Sequence, residues 1–405
     1  DVSGSLYDLQ KEALSALVSM IKGAAIIKDD STRMNPILSS YVQFVFKDVI
    51  MTTSPVSFVL CEMLTDLITK SDDNIRVPLQ IESKEDDSAR ATKKRSNSAH
   101  RSLDAKSGEN SYVSRTASMF GPQGPPLYYE ALQFMWFFYE IVLKSFLLNA
   151  PSVRDNGFKF FTVMKDLLRV VADKVRVWRD DFNNSQLAMA LNQQTALFLR
   201  DLFDTPMKST YVFELIETYL AEIRKERVKS TTILKIMADF ITILSDHIAF
   251  VQLNNEIFQL KEFVMGKPLC VPPIHMITTL IRDSLVSFRA DHELQSASAH
   301  AIRYILTKHD FDSRYTPKER RSFVAKMYIP YIVTLLTNIS YYQQLEAMFR
   351  REHARCALWI LANADPTDPI VLNNYYLHKD AMLFLALCTD DVFKVARNEK
   401  STIDA

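Results

Sequence analysis

The run Phe161-Thr162-Val163-Met164-Lys165-Asp166-Leu167-Leu168-Arg169-Val170-Val171-Ala172-Asp173-Lys174-Val175-Arg176-Val177-Trp178 places Phe161, Met164, Leu168, Val171, Val175 and Trp178 at steps of three and four. Such steps return to one side of an α-helix, so the spacing predicts an amphipathic helix with a single stripe against a core. The period continues toward the C-terminus through Leu191, Thr195, Phe198 and Leu202, then Val212, Leu215, Tyr219 and Ile223, then Leu234, Met237, Ile241, Leu244, Ile248 and Val251. Toward the N-terminus, Leu6, Leu9, Ala13, Leu17 and Met20 form one stripe, and Val56, Val59, Met63 and Leu67 form another. Between these two, Ile37 to Val49 reads as a helix entered through Asn35-Pro36, because proline is tolerated in a first turn.

Tyr128-Tyr129-Glu130-Ala131-Leu132-Gln133-Phe134-Met135-Trp136-Phe137-Phe138-Tyr139-Glu140 is apolar on nearly every side, the pattern of a central core helix rather than of a ligand-stacking aromatic box. Breaks fall at Pro206, at Pro268 and at Pro272-Pro273, where the ring removes a donor and disfavours helix in the residue before it. Thr316-Pro317-Lys318-Glu319 reads as a capping box. It opens a helix with the stripe Ala325, Tyr328, Ile332, Leu335 and Ile339, and Pro330 inside that helix predicts a kink. Two further helices, around Glu346 to Ala362 and Leu377 to Val395, complete the pattern.

Only seven of the 405 residues are glycine, where average usage of about 7% would give about 28. Dinucleotide turns, phosphate loops and tight hairpins all need glycine where φ is positive or where backbone approaches a ligand, so those classes are disfavoured together. HExxH and GxSxG are absent as well. The expected fold is all-α, an armadillo- or HEAT-like α-solenoid of about a dozen helices with one long disordered linker. A compact all-α bundle is the alternative. The organisation that follows is a first helical block over 1–79, a linker over 80–126, and a second helical block over 127–405.

Forty-eight Lys and Arg balance forty-eight Asp and Glu, so there is no global positive charge to drive binding to nucleic acid. Cys61, Cys270, Cys356 and Cys388 are far apart and lack CxxC spacing, which points to core thiols in a reducing compartment rather than a disulfide framework or a zinc site. No apolar run reaches the ~18 residues of a membrane span, since Glu140 and Lys144 interrupt the longest candidates. The chain begins at Asp1 without methionine or secretion signal, as expected of a piece of a longer polypeptide. The segment 80–126 is rich in Ser, Lys, Arg, Asp and Asn, which is the composition of a disordered linker. Within it Arg95 stands three residues before Ser98 and Arg115 three before Ser118, so both serines are candidate phosphorylation sites.

The best polar cluster is His309-Asp310-Phe311-Asp312-Ser313-Arg314-Tyr315. An imidazole and two carboxylates could ligate a divalent ion. The alternative is a structural corner: His309 meets terminal carbonyls of the helix through Ile302, Ile305 and Leu306, Asp310 and Asp312 bond turn amides, and Arg314 pairs with either carboxylate. This second reading is the one expected. His292 and His300 lie eight residues apart, two helical turns, which is too far for one shared metal ion. The basic runs Arg224-Lys225-Glu226-Arg227 and Arg350-Arg351 are expected to be solvated faces. No cofactor, metal or catalytic residue is expected.

Several stretches, taken together, resemble the Dock (dedicator of cytokinesis) guanine nucleotide exchange factors, most of all the zizimin and zizimin-related branches. They are Ile305-Leu306-Thr307-Lys308-His309-Asp310-Phe311-Asp312-Ser313-Arg314-Tyr315 with Ala325-Lys326-Met327-Tyr328-Ile329-Pro330, Phe134-Met135-Trp136-Phe137-Phe138-Tyr139-Glu140 with Lys144-Ser145, Ala196-Leu197-Phe198-Leu199-Arg200-Asp201-Leu202-Phe203, and Leu358-Trp359-Ile360-Leu361-Ala362-Asn363-Ala364. Pro36-Ile37-Leu38-Ser39-Ser40-Tyr41-Val42-Gln43-Phe44-Val45-Phe46 fits more loosely. The resemblance implies the armadillo-like helical region between a lipid-binding C2-like domain and the exchange domain of a protein that activates Rho-family GTPases such as Rac or Cdc42. On that reading the segment is a non-catalytic, cytoplasmic scaffold. Its partners are adaptors and its own exchange domain, it meets the GTPase only through that domain, and it reaches membrane only indirectly. A stand-alone helical adaptor and a metal-dependent enzyme using His309, Asp310 and Asp312 are the competing classes.

Overall fold

A backbone poor in glycine and patterned every 3.6 residues satisfies its own hydrogen bonds in helices, leaving one apolar stripe per helix to be covered by a neighbour. The computed structural model describes residues 2–24, 35–47, 55–72, 125–149, 153–181, 183–225, 231–247, 292–311, 313 and 316–403. Among these residues there are sixteen α-helices and no strand. They are α1 (Val2–Ala24), α2 (Pro36–Ser40, continued by a π-helical turn Tyr41–Val45), α3 (Val56–Asp72), α4 (Leu127–Gln133), α5 (Met135–Leu148), α6 (Val153–Trp178), α7 (Ser185–Asp201) and α8 (Ser209–Ile223). The rest are α9 (Thr231–Ser245), α10 (His292–Phe311), α11 (Lys318–Met327), α12 (Ile329–Thr337), α13 (Ile339–Gln344), α14 (Ala347–Asn363), α15 (Pro369–Val371, continued by a π-helical turn Leu372–Tyr376) and α16 (Ala381–Ile403). The expected linker, 80–126, lies outside the described residues except for its last two, Pro125 and Pro126, and so do Ser98, Ser118, Cys270, Ile248, Val251, Pro268, Pro272 and Pro273.

Helices pack on partners close to them in chain order. α3 lies against α5 and α6, α5 against α7, α6 against α7 and α8, α7 against α9, α9 against α10, α10 against α14, and α14 against α16. That nearest-neighbour pattern is the signature of a helical solenoid. One apolar cluster connects the stack, from Leu14 and Val18 in α1 to Phe384 and Cys388 in α16. In the middle of the chain the stripes fall as the spacing predicts: Phe161, Met164, Leu168, Val171, Val175 and Trp178 are buried, as are Leu191, Thr195, Phe198, Leu202, Val212, Leu215, Tyr219, Ile223, Leu234, Met237, Ile241 and Leu244. Ring stacking reinforces the contacts, with Phe161 on Tyr211 at 4.9 Å between α6 and α8, and Tyr219 on Phe240 at 4.8 Å between α8 and α9.

Four expectations need correction. The buried face of α1 is Leu14, Val18 and Ile21, while Leu9 and Met20 are more than 60% exposed. α1 is apolar on more than one side, and its contacts with α3 and α4 select which side is covered. In α3 the covered residues are Phe58, Cys61, Leu64 and Ile68, one or two positions from the expected stripe, and Val56, Val59, Met63 and Leu67 are half-buried. The aromatic core helix is two helices bent by 72° at Phe134, where φ is −107° and ψ is 23°. The freed amide of Trp136 donates to Gln194 Oε1 of α7 at 3.1 Å, a cap supplied from another helix. Pro330 produces a full break at Tyr328 rather than a kink, because it takes the first turn of α12, where a missing donor costs nothing. A second break at Asn338 adds α13, which is why the helices outnumber the expected dozen.

The expected capping box is absent as well. α11 starts at Lys318 with Pro317 at the cap position, and Pro317 O accepts from the amides of Arg320 and Arg321 at 3.0 Å each. Thr316 therefore sits one residue too early to cap. By contrast Asn35 does cap α2, its Oδ1 accepting from Ile37 N at 3.0 Å and Leu38 N at 3.2 Å.

Phe160 stands where three helices meet. It is fully buried in α6, stacks on Phe146 of α5 at 4.2 Å and lies 6.2 Å from Phe58 of α3. Phe160→Ala should cost about 3–5 kcal/mol in urea denaturation. The nearby Phe158→Ala, at a 64% exposed ring, should stay within about 0.5 kcal/mol of wild type.

Candidate functional site

The polar cluster at the end of α10 is built from helix termini. His309 is buried in the last turn, and its Nε2 lies 2.9 Å from the hydroxyl of Tyr328, the residue at which α11 breaks into α12. Asp310, next in sequence and exposed, accepts from Trp359 Nε1 of α14 at 3.0 Å and faces Arg321 Nη2 of α11 at 3.6 Å. Two consecutive residues thus tie the end of α10 to three other helices. Both His309 and Asp310 thus have side-chain partners beyond their own helix. Asp312, Arg314 and Tyr315 lie outside the described residues.

A second buried pair sits beside the first. Tyr331 of α12 places its hydroxyl 3.0 Å from His353 Nδ1 and donates to the His353 carbonyl at 3.3 Å. Burial holds the His353 imidazole down at about 4, so it is neutral near pH 7. Further on, Arg350 donates through Nε to Asp391 Oδ1 of α16 at 3.2 Å and through Nη1 to the carbonyls of Gln343 and Leu345 at 3.1 Å each. Tyr342 donates to Asp391 Oδ2 at 3.1 Å. Arg350 therefore closes the α13–α14 turn and does not belong to a solvated face, whereas Arg224 and Lys225 are exposed as expected.

A similar convergence occurs in the first half. Tyr139 of α5 stacks on Phe198 of α7 at 4.4 Å and an interplanar angle of 12°, and its hydroxyl meets Thr195 Oγ1 at 3.1 Å. Tyr219 of α8 donates to Asn192 Oδ1 of α7 at 3.1 Å, and Asn192 Nδ2 donates to the Ile236 carbonyl of α9 at 3.0 Å. Ser145 Oγ accepts from the Ser57 amide near the start of α3 at 2.8 Å, and Lys144 donates to the Gln43 carbonyl. Sequence reasoning missed Asn192, Gln194, Tyr331 and His353; a polar residue inside an otherwise apolar stripe, as at Asn192, is the signal that marks one of them.

None of these clusters is arranged for covalent or metal chemistry. Among the described residues no group of three or more His, Cys, Asp and Glu could hold a metal ion. His309 turns its Nε2 to a tyrosine and Asp310 turns to an indole, so the two do not converge on a common point. Cys61, Cys356 and Cys388 are buried and free, and burial pushes the last two up to about 12, which keeps them protonated and inert. No single helix among the described residues is long and apolar enough to cross a membrane.

The stretches that carry the sequence resemblance are the ones that meet in space: 134–140 against 196–203, Lys144 and Ser145 against α2 and the start of α3, and 305–310 against 325–330 and 358–364. The family model described as "DOCK6-11, TPR domain" matches residues 123–245, the region of α4 through α9. Over that stretch the chain carries a helical region of the Dock family. It is 25% identical over 263 residues to guanine nucleotide exchange factor SPIKE 1 of Arabidopsis thaliana, covering 60% of this chain and 13% of that protein. It is 22% identical over 230 residues to human dedicator of cytokinesis protein 9, covering 51% of this chain and 11% of that one. Against mouse dedicator of cytokinesis protein 6 it is 25% identical over 247 residues, covering 49% and 12%. The chain therefore spans little more than a tenth of these Dock relatives. No solved structure matches it. The repeat class named for the matched stretch is TPR, which like the armadillo and HEAT types is a stack of helical units.

Burial of His353 has a measurable consequence. An unfolded imidazole takes up its proton near pH 6.5, whereas His353 in place does so only at about 4. Between those values the unfolded chain binds more protons, so His353 makes stability fall as pH drops from 6.5 to 4, by about 3 kcal/mol at most. Glu140, which burial pushes up to about 7, acts in the opposite direction, so the comparison must be differential. Urea titrations should show His353→Gln losing less stability than wild type over that window. In the other pair, Tyr328→Phe should cost about 1 kcal/mol by removing one hydrogen bond of buried His309, and less in a His309→Leu background.

Proposed function

We propose that this segment is the non-catalytic helical scaffold of a Dock-family guanine nucleotide exchange factor, of the zizimin or zizimin-related branch, that serves Rho-family GTPases such as Rac or Cdc42. It holds a membrane-binding module and an exchange module at a set separation and offers surfaces to adaptors and to the exchange module itself. It works in the cytoplasm and reaches membrane through other parts of the parent. One observation supports this reading above others: polar groups of the family-like stretches bond to one another across helix boundaries, where they fix geometry. The mechanism is mechanical. A stack in which each helix is tied to the next by both apolar and polar contacts resists bending, and so preserves the distance between whatever is joined to its ends. The names of the relatives, an exchange factor and dedicators of cytokinesis, supply the reaction class of the parent. The family model limited to DOCK6-11 supports the branch.

The purified chain, added at micromolar concentration to Rac or Cdc42 loaded with fluorescent nucleotide, should leave the release rate at its intrinsic value. Robust acceleration by the chain alone would show catalytic machinery here and end the scaffold reading.

A further inference from the structure

The stripe Val59, Met63 and Leu67, which the sequence pattern marks as core-facing, is only half-covered. α1 meets α3 over a short length, and beyond that contact the two helices form the walls of a groove of about 340 Å³. Those three residues and Leu14 make its apolar lining, and the volume falls within the ~300–1,000 Å³ of ligand-binding clefts. Its edges are charged. Glu62 and Asp66, one helical turn apart, stand exposed on the α3 side, and Lys11 stands exposed on the α1 side with Asp8 a turn before it. Asp66 is paired with Lys70 at 3.0 Å, while among the described residues no hydrogen bond or ion pair engages Glu62. Carboxylates outnumber ammonium groups around the opening.

We propose that this groove docks an amphipathic helix of a protein partner, with the helix's apolar stripe on Met63 and Leu67 and its basic residues against Glu62 and Asp66. The lining from Val59 to Leu67 covers eight helical steps, about 12 Å, which suits anchors at i, i+4 and i+7. Carboxylates at i and i+4 on one helix face basic side chains at the same spacing on another. The acidic edge disfavours an anionic lipid surface, which would be repelled. Desolvating Met63 and Leu67 supplies the affinity, and the charges set orientation and partner choice. This deepens the scaffold reading and rests on it, yet the two fail separately: nucleotide-exchange activity would overturn the scaffold without touching helix binding.

The probe is a fluorescein-labelled helical peptide with Leu at i, i+4, i+7 and i+11 and Arg flanking that stripe, titrated with the full 405-residue chain and read by anisotropy. It should bind saturably. Binding should weaken by about tenfold or more when the peptide's Arg are changed to Glu, when its Leu are changed to Ser, and in the Glu62→Lys/Asp66→Lys chain. Met63→Glu, which places a charge in the lining, should abolish it. The Glu62→Lys/Asp66→Lys chain changes only exposed positions, so it remains informative if Met63→Glu fails to fold. Equal binding of the Glu-flanked peptide, no loss in the charge-reversed chain, no saturable binding, or tighter binding to phosphatidylserine vesicles than to the Arg peptide overturns the assignment.

Discussion

A helix that has satisfied its own backbone still has one wet apolar stripe, and covering that stripe is the constraint on which the arrangement depends. Phe160 shows how it is met. Its ring is sealed because α3 brings Phe58 and α5 brings Phe146 to the same place, so two consecutive helices and a third from much earlier in the chain must be present together. Each helix then hands a second surface to the next: α6 covers α8, α8 leaves Tyr219 for Phe240 of α9, and α9 lies against α10. Stability in such a stack is a sum of local interfaces rather than the property of one centre, and the chain can be long without becoming globular.

Apolar covering alone would let neighbouring helices slide or rotate, because aliphatic contacts have little directional preference. The buried polar bonds remove that freedom. Tyr219, Asn192 and the Ile236 carbonyl fix α8, α7 and α9 in one relative register, since a shift of a single residue would leave a buried amide without partners. Tyr331 with His353 does the same for α12 and α14, and Arg350 with Asp391 for α14 and α16. The neutrality of His353 belongs to this design: a charged imidazole in that position would have to be solvated, and His353 is buried.

Helix succession and the four central stripes were legible because they depend on local spacing, which tertiary packing did not override between Phe161 and Leu244. The edges were less legible. In α1 and α3 apolar residues occupy more than one side, so periodicity offers two faces and only the neighbour decides between them; Leu14 and Phe58 won where Leu9 and Val56 were expected. The break at Phe134 has no glycine or proline to announce it, since what permits it is the side-chain oxygen of Gln194 accepting from the freed amide of Trp136, 58 residues earlier in the chain. At His309 and Asp310 the side-chain partners come from Tyr328 at the α11–α12 break and from α14, and no spacing in one sequence reports which tyrosine will lie beside which imidazole.

That the family-like stretches turn out to be mutual contacts bears on what a Dock segment can vary. Tyr139 and Phe198, or His309 and Tyr328, constrain each other, so a change at one member removes a bond whose other half stays buried. Residues on the outer faces have no such coupling. Leu9, Met20, Glu62 and Asp66 can change with little effect on the stack, and so the outer faces are free to acquire partner preferences while the corners hold the spacing. A scaffold built this way separates two demands that conflict in a compact enzyme: the interior is over-determined by reciprocal bonds, and recognition is left to surfaces whose chemistry the fold does not dictate.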